Sequence, residues 1–91
     1  MNTILIGYDL NTPGQDYDSL HEAIKALGAW WHHLDSTWLV KTSLSTSDVH
    51  GKLKPTVGSD DELLVINVTG QARAWSGFNE SGSKWLKETY A

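Results

Sequence analysis

The sequence predicts an α+β domain in which two helices cover one face of a four-stranded antiparallel sheet. Two observations predict this class. Short runs of aliphatic, β-branched and aromatic residues, bounded by turn residues, are typical of strands. Between some of them lie segments whose apolar residues recur at spacings of three and four, which is typical of one face of a helix. With 91 residues, we expect one small hydrophobic core.

The first predicted strand spans residues 3–8 and delivers a carboxylate to its own end. Its composition suits a central strand that is buried on both faces of the sheet. Asp9 follows directly, and Asn11, Pro13 and Gly14 then form a turn. Two interpretations of Asp9 stay open: its carboxylate hydrogen-bonds the amides of the turn, or it binds a metal or catalyses from the end of a rigid strand.

The first helix and two further strands follow. Apolar residues at helical spacing predict a helix over 16–27, with Asp16 as its cap and Gly28 as its stop. Two short aromatic segments, 29–34 and 37–42, are so close in sequence that they form either an antiparallel hairpin or one long bent strand.

Alternation along the first of these two strands assigns its side chains to two faces. Trp30, His32 and Leu34 are predicted on one face, and Trp31 and His33 on the other. The adjacent histidines therefore cannot chelate one ion together. Each is interpreted either as a packing residue or as a base.

A second helix and a last strand complete the pattern. Ser45 with Asp48 three residues later resembles a capping box, and Pro55 ends this helix near residue 54. Residues 62–68 are predicted to form a last, strongly apolar strand, which we expect in the centre of the sheet. The order strand, helix, strand, strand, helix, strand is that of the ferredoxin-like βαββαβ sandwich. Its second sheet face is bare, so we expect a homodimer or a covering element.

The chain divides into a ferredoxin-like domain over 1–70 and an aromatic C-terminal extension over 71–91. Ser81 or Ser83 is predicted to cap a last short helix over 84–90. Its aromatic residues would not lie free in water. We therefore expect the extension to pack on the sheet, either its own or that of a dimer partner.

Composition narrows the function. The net charge of −4 argues against a protein that grips nucleic acid mainly by its phosphates, because that requires a basic surface. The chain has no cysteine, which excludes disulfides and thiolate metal sites. Five tryptophans exceed what a small core needs and favour a homodimer or a protein partner.

The sequence shows no signal peptide and no membrane-length apolar run, so we expect a cytoplasmic protein without membrane contact.

Two runs of this sequence, 8–17 and 30–38, resemble the SinR-like small proteins of bacteria and phages. Three short motifs also resemble the small CRISPR-associated proteins of the spacer-adaptation complex and the VapD toxins: Tyr8-Asp9-Leu10, Leu27-Gly28 and Asp60-Asp61. The resemblance covers about residues 3–70 and implies a ferredoxin-like homodimer.

The resemblance also implies a site. In the CRISPR-associated and VapD proteins, the matching carboxylate lies near the dimer axis and binds a divalent metal with its symmetry mate, for hydrolysis of RNA or DNA. Here it implies Asp9 as the catalytic and metal-binding residue of an endonuclease, with Mg²⁺ or Mn²⁺ as cofactor. Ser36 matches a position that hydrogen-bonds near that site. Other members are scaffolds only, so a non-catalytic dimeric scaffold or protein-interaction module is the alternative.

Overall fold

A computed structural model describes residues 1–14 and 16–89. Within these ranges the strands are β1 (Asn2–Asp9), β2 (Ala29–Leu34), β3 (Thr37–Thr42) and β4 (Glu62–Asn67). The helices are α1 (Asp18–Lys25), α2 (Thr46–Leu53), followed by a 3-10 turn (Lys54–Thr56), and α3 (Glu80–Glu88). The strands form one sheet in the order β2-β3-β1-β4, and neighbouring strands are antiparallel. The predicted α+β class is confirmed, and the arrangement is consistent with the ferredoxin-like type.

Alternation along the two central strands creates the core. Ile4 and Ile6 of β1 lie opposite Val40 and Trp38 of β3 and share one face of the sheet. Their side chains are buried against residues from both α1 and α2, namely Leu20, Ile24, Val49 and Leu53. Both helices therefore cover the same face, as predicted.

The beginning of α1 differs from the prediction, whereas that of α2 agrees with it. α1 begins at Asp18, although the Asp16 Oδ1 atom does accept a hydrogen bond from the Asp18 N–H at 2.9 Å. Ser45 caps α2, because its hydroxyl oxygen accepts from the Asp48 N–H at 3.1 Å. Pro55 lies in the 3-10 turn directly after α2, which agrees with its predicted role at the helix end.

The cap predicted for the last helix was wrong. α3 begins earlier than predicted, and its cap is Asn79 rather than Ser81 or Ser83. The Asn79 Oδ1 atom accepts from the Gly82 N–H at 2.8 Å. Asparagine and serine are equally good caps, so composition alone does not rank them. Tyr90, where the predicted helix ended, lies outside the described residues.

Trp31 anchors the C-terminal extension to the second face of the sheet. Its side chain is only 4% exposed, and its indole Nε1–H donates to the Gly82 carbonyl at 3.1 Å. Phe78 packs edge-on against the indole, with the ring centroids 4.9 Å apart. A Cβ added to Gly82 would lie 3.1 Å from the His33 ring, so the backbone of α3 sits directly on β2.

A register shift in β2 corrects the face predicted for Leu34. The shift lies between Trp31 and Leu34, and it places Leu34 opposite Thr37. Leu34 therefore lies on the same face as Trp31, not on that of Trp30. An irregularity of this kind changes the alternation beyond it, which the residue pattern of a strand does not reveal.

The extension leaves part of the second face uncovered. α3 packs against β2 at one edge of the sheet, whereas β4 forms the other edge. On β4, Leu64 and Ile66 point to the second face and remain 55% and 43% exposed. We call these two residues the β4 strip. Among the described residues, no helix is long and apolar enough to cross a membrane.

Candidate functional site

Asp9 lies at the C-terminal end of β1, as predicted, and its side chain is exposed. It stands directly opposite Glu62 on β4, so the two carboxylates are neighbours on the second face of the sheet. Outside the sheet ladder, its backbone carbonyl accepts from the Asn11 side-chain amide at 3.4 Å. Ser36, the other residue that the resemblance implied, uses its carbonyl to accept from the Tyr8 N–H at 3.1 Å.

The residues around Asp9 do not complete a metal site within one chain. Mg²⁺ prefers six oxygen ligands and is commonly held by carboxylates together with water. Asp9 and Glu62 supply two carboxylates on an open surface. In the part of the chain that the structure describes, no three histidine, cysteine, aspartate or glutamate side chains are grouped to hold a metal ion. Water, substrate oxygens or a second chain would have to supply the remaining ligands.

Asp61 is the carboxylate that binds the turn after β1. Its Oδ1 atom accepts from the Asn11 N–H at 2.6 Å, the Thr12 N–H at 3.0 Å and the Tyr17 hydroxyl at 2.6 Å. Its Oδ2 atom accepts from the Gly58 N–H at 2.6 Å. The role that one interpretation gave to Asp9, hydrogen bonding of the turn amides, therefore belongs to Asp61.

These contacts shift the pKa of two groups in opposite directions. Burial tends to raise the pKa of Asp61 by penalising the charged form, but the hydrogen bonds from Tyr17, Gly58 and Asn11 oppose it. The hydrogen bonds prevail and hold the pKa of Asp61 well below its usual range. Burial, followed by the hydrogen bond to Asp61, raises the pKa of Tyr17 above its ordinary value.

Stability in acid is expected to depend on Asp61. Its folded-state pKa lies below the unfolded value of about 3.9, so its contribution is fully present above that pH and is lost as the pH falls through the folded-state pKa. We expect Asp61→Asn to be less stable at neutral pH, and to take up about one proton fewer on unfolding in acid. Denaturant unfolding at a series of pH values measures both effects.

Asp60→Asn is the matched control for this prediction. Asp60 is the exposed neighbour, and in the described ranges only its carbonyl is hydrogen-bonded, by the Asn11 side chain. We expect Asp60→Asn to keep the acid dependence of the unmodified protein. An identical pH profile in both variants would contradict the role of Asp61.

The two adjacent histidines lie on opposite sides of the sheet, as predicted. The His32 ring stacks on Trp38 with the centroids 3.7 Å apart, and its Nε2 atom lies 3.2 Å from the Asp35 carbonyl oxygen. Trp38 in turn donates from its indole N–H to the Tyr8 hydroxyl at 2.9 Å. His33 packs on α3 beside Phe78. Both rings thus make packing contacts, which is one of the two interpretations of these residues.

A cavity of about 380 Å³ lies where the irregular segment 68–78 meets the second face of the sheet. Apolar side chains form much of its wall, including Leu5, Leu39, Trp75 and Leu86. The Trp75 indole N–H donates to the Ser83 hydroxyl at 3.2 Å. The indole N–H of Trp31 on β2 likewise donates to the extension, at the Gly82 carbonyl. Both indoles therefore help to hold the extension in place.

Comparisons with protein-family models, curated proteins and solved structures give no match to this chain. The functional interpretation therefore depends on the residues themselves. Sequence reasoning missed the hydrogen bonds of Asp61 and Tyr17, although the Asp60-Asp61 pair had been singled out as a motif. It also did not identify the β4 strip, because it expected the strand 62–68 to be central.

Proposed function

We propose that this protein is a non-catalytic homodimeric scaffold of the ferredoxin-like type that associates through β4. The observation that carries the proposal is the β4 strip: two large aliphatic side chains, Leu64 and Ile66, lie exposed on an edge strand. An edge strand that carries large exposed apolar side chains is typical of a surface that pairs with another chain.

The two edges of the sheet differ in how they are protected. β2 carries a register shift, and the Lys25 ammonium of α1 lies beside this strand, 5.3 Å from the centre of the exposed Trp30 ring. Bulges and lysines are devices that discourage pairing at an edge. β4 has neither a lysine nor a proline, and no register shift interrupts its pairing with β1. The composition of β4 therefore supports association at this edge.

The charge of the chain favours a protein partner over nucleic acid. The net charge is −4, and an acidic surface repels the phosphates that supply most of the affinity for RNA or DNA. Two copies of the same acidic chain repel each other, so they associate most favourably through a surface that carries few charges. Between Glu62 and Asn67, the ends of β4, every residue is aliphatic.

Sedimentation of the purified protein at micromolar concentration tests the proposal. We expect a dimer of the 10.1-kDa chain. We expect Leu64→Lys to be monomeric, since lysine on an edge strand opposes pairing. Leu34→Lys is the matched control, because Leu34 is 47% exposed but lies on β2, and we expect it to remain dimeric. A monomeric unmodified protein, or a Leu64→Lys dimer as tight as the control, would overturn the proposal.

Metal-dependent cleavage of RNA or DNA, the function implied by the CRISPR-associated and VapD resemblance, is the second candidate. The pairing of Asp9 with Glu62 supports it, since the two exposed carboxylates are neighbours across adjacent strands. It predicts cleavage of RNA or DNA with Mn²⁺ that is abolished in Asp9→Ala and retained in Asp60→Ala. Cleavage that survives in Asp9→Ala would show contamination and exclude this candidate.

A further inference from the structure

We infer that β4 pairs antiparallel with β4 of a second copy, with the two-fold axis at Val65, so that two four-stranded sheets form one continuous sheet. The inference rests on the proposed dimer and specifies its interface. It follows from three properties of β4: the direction of its backbone groups, the bonds already made by the residues beside it, and the position of its one charge.

The backbone of β4 points alternately toward β1 and toward the open edge. The Val68 N–H donates to the Thr3 carbonyl at 2.8 Å, so these two residues are oriented as a hydrogen-bonded antiparallel pair, although the Thr3 N–H donates to the Thr69 hydroxyl. Such pairs recur at every second residue, so Ile66 and Leu64 also direct their backbone groups toward β1. The backbone groups of the alternate residues therefore face the open edge: Leu63, Val65 and Asn67. No described residue bonds them there.

A two-fold axis at Val65 pairs all of these open groups. It places Val65 opposite the partner's Val65, and Leu63 opposite the partner's Asn67. In an antiparallel sheet, residues at such positions exchange both N–H and carbonyl bonds. Each of the three outward-facing residues of one chain then meets an outward-facing residue of the other.

Two neighbouring registers also keep the corresponding faces of the two sheets on the same side, but they are less favourable than the register at Val65. An axis at Leu64 would place Asn67 opposite the partner's Asp61, whose N–H already donates to the Gly58 carbonyl at 3.2 Å. An axis at Ile66 would place Leu63 opposite the partner's Thr69, whose N–H already donates to the Asn67 side chain at 3.0 Å. In both registers, a backbone group without a partner in its own chain meets an N–H that already donates a hydrogen bond.

Side chains and charge agree with the register at Val65. Leu64 lies opposite the partner's Ile66 and Ile66 opposite the partner's Leu64, which joins two β4 strips into one apolar patch. Glu62, the one charged residue of β4, lies opposite the partner's Val68. The two Glu62 residues are then six positions apart along the strands, or about 20 Å. The acidic chains therefore meet without like charges in contact.

This register has a consequence for Asp9. Asp9 is the neighbour of Glu62 on the inner strand β1, so the two Asp9 carboxylates of the dimer lie at opposite ends of the joined sheet. They are too far apart to share one metal ion. A dimer joined in this way is a scaffold rather than a two-chain metal site.

Disulfide trapping tests the register, and the chain suits it because it contains no cysteine. Leu64→Cys and Ile66→Cys are prepared as separate variants, each at an exposed position. In the register at Val65, these positions form a non-hydrogen-bonded pair with Cα atoms about 4.5 Å apart, which a disulfide spans. We expect covalent dimer when the two variants are mixed in reductant and then oxidised, and none when either is oxidised alone.

Failure of the register and failure of the proposed dimer give different results. Covalent dimer from Leu64→Cys alone indicates the axis at Leu64, and from Ile66→Cys alone the axis at Ile66; either overturns the register. Leu34→Cys mixed with Ile66→Cys is the control for random collision and should give no covalent dimer. A dimer in sedimentation that none of these variants traps overturns the inference but leaves the scaffold proposal standing. A monomer in sedimentation overturns both.

Discussion

Replacing Trp31 with alanine is expected to lower the free energy of unfolding by about 3–5 kcal/mol. The indole is almost completely buried between β2 and α3, and its removal leaves a void that adjoins the existing cavity. It also removes the hydrogen bond that the indole N–H donates to the Gly82 carbonyl. For 91 residues the total stability is roughly 5–14 kcal/mol, so the loss is a large share of it.

Denaturant unfolding followed by circular dichroism measures this effect. Trp31→Phe is the control that separates packing from hydrogen bonding, because it keeps an aromatic ring but lacks the N–H donor. We expect Trp31→Phe to cost about 1 kcal/mol for the lost hydrogen bond, plus a smaller packing loss. If Trp31→Ala unfolds at the same denaturant concentration as the unmodified protein, then α3 contributes nothing to the stability of the sheet.

The sequence predicts the elements of this fold well where the signal is local. Residues 3–8 are mostly β-branched, aliphatic and aromatic, and this composition identifies β1 without knowledge of its neighbours. The cap of α2 is equally local, since Ser45 and Asp48 are three residues apart. Such features need only the chemistry of adjacent residues.

The candidate site could not be assigned in the same way, because its partners are distant in sequence. Asp9, Asp60 and Asp61 are indistinguishable by composition, and each stands beside an apolar strand. The Asp61 carboxylate finds its donors at Asn11 and Tyr17, which are 50 and 44 residues away. Only the antiparallel pairing of β1 with β4 brings the turn and the carboxylate together. The sequence therefore indicated the chemistry, a carboxylate on turn amides, but not its location.

Gly28 was predicted as a helix stop, and the structure gives a further reason for glycine there. Its backbone passes so close to β3 that an added Cβ would overlap the Lys41 carbonyl oxygen. Its φ of 156° is also one that other residues rarely adopt. We expect Gly28→Ala to cost about 3 kcal/mol or more, because the Ala29–Lys41 pair that joins β2 to β3 must move apart.

Gly51→Ala is the matched control for this substitution, and its effect should have the opposite sign. Gly51 lies inside α2 on the exposed side, and a Cβ there meets no atom within 4 Å. Alanine favours a helix over glycine by about 1 kcal/mol, so this variant should be more stable than the unmodified protein. Thermal unfolding of both variants measures the contrast. Equal stability of the two would show that Lys41 of β3 lies farther from Gly28 than described.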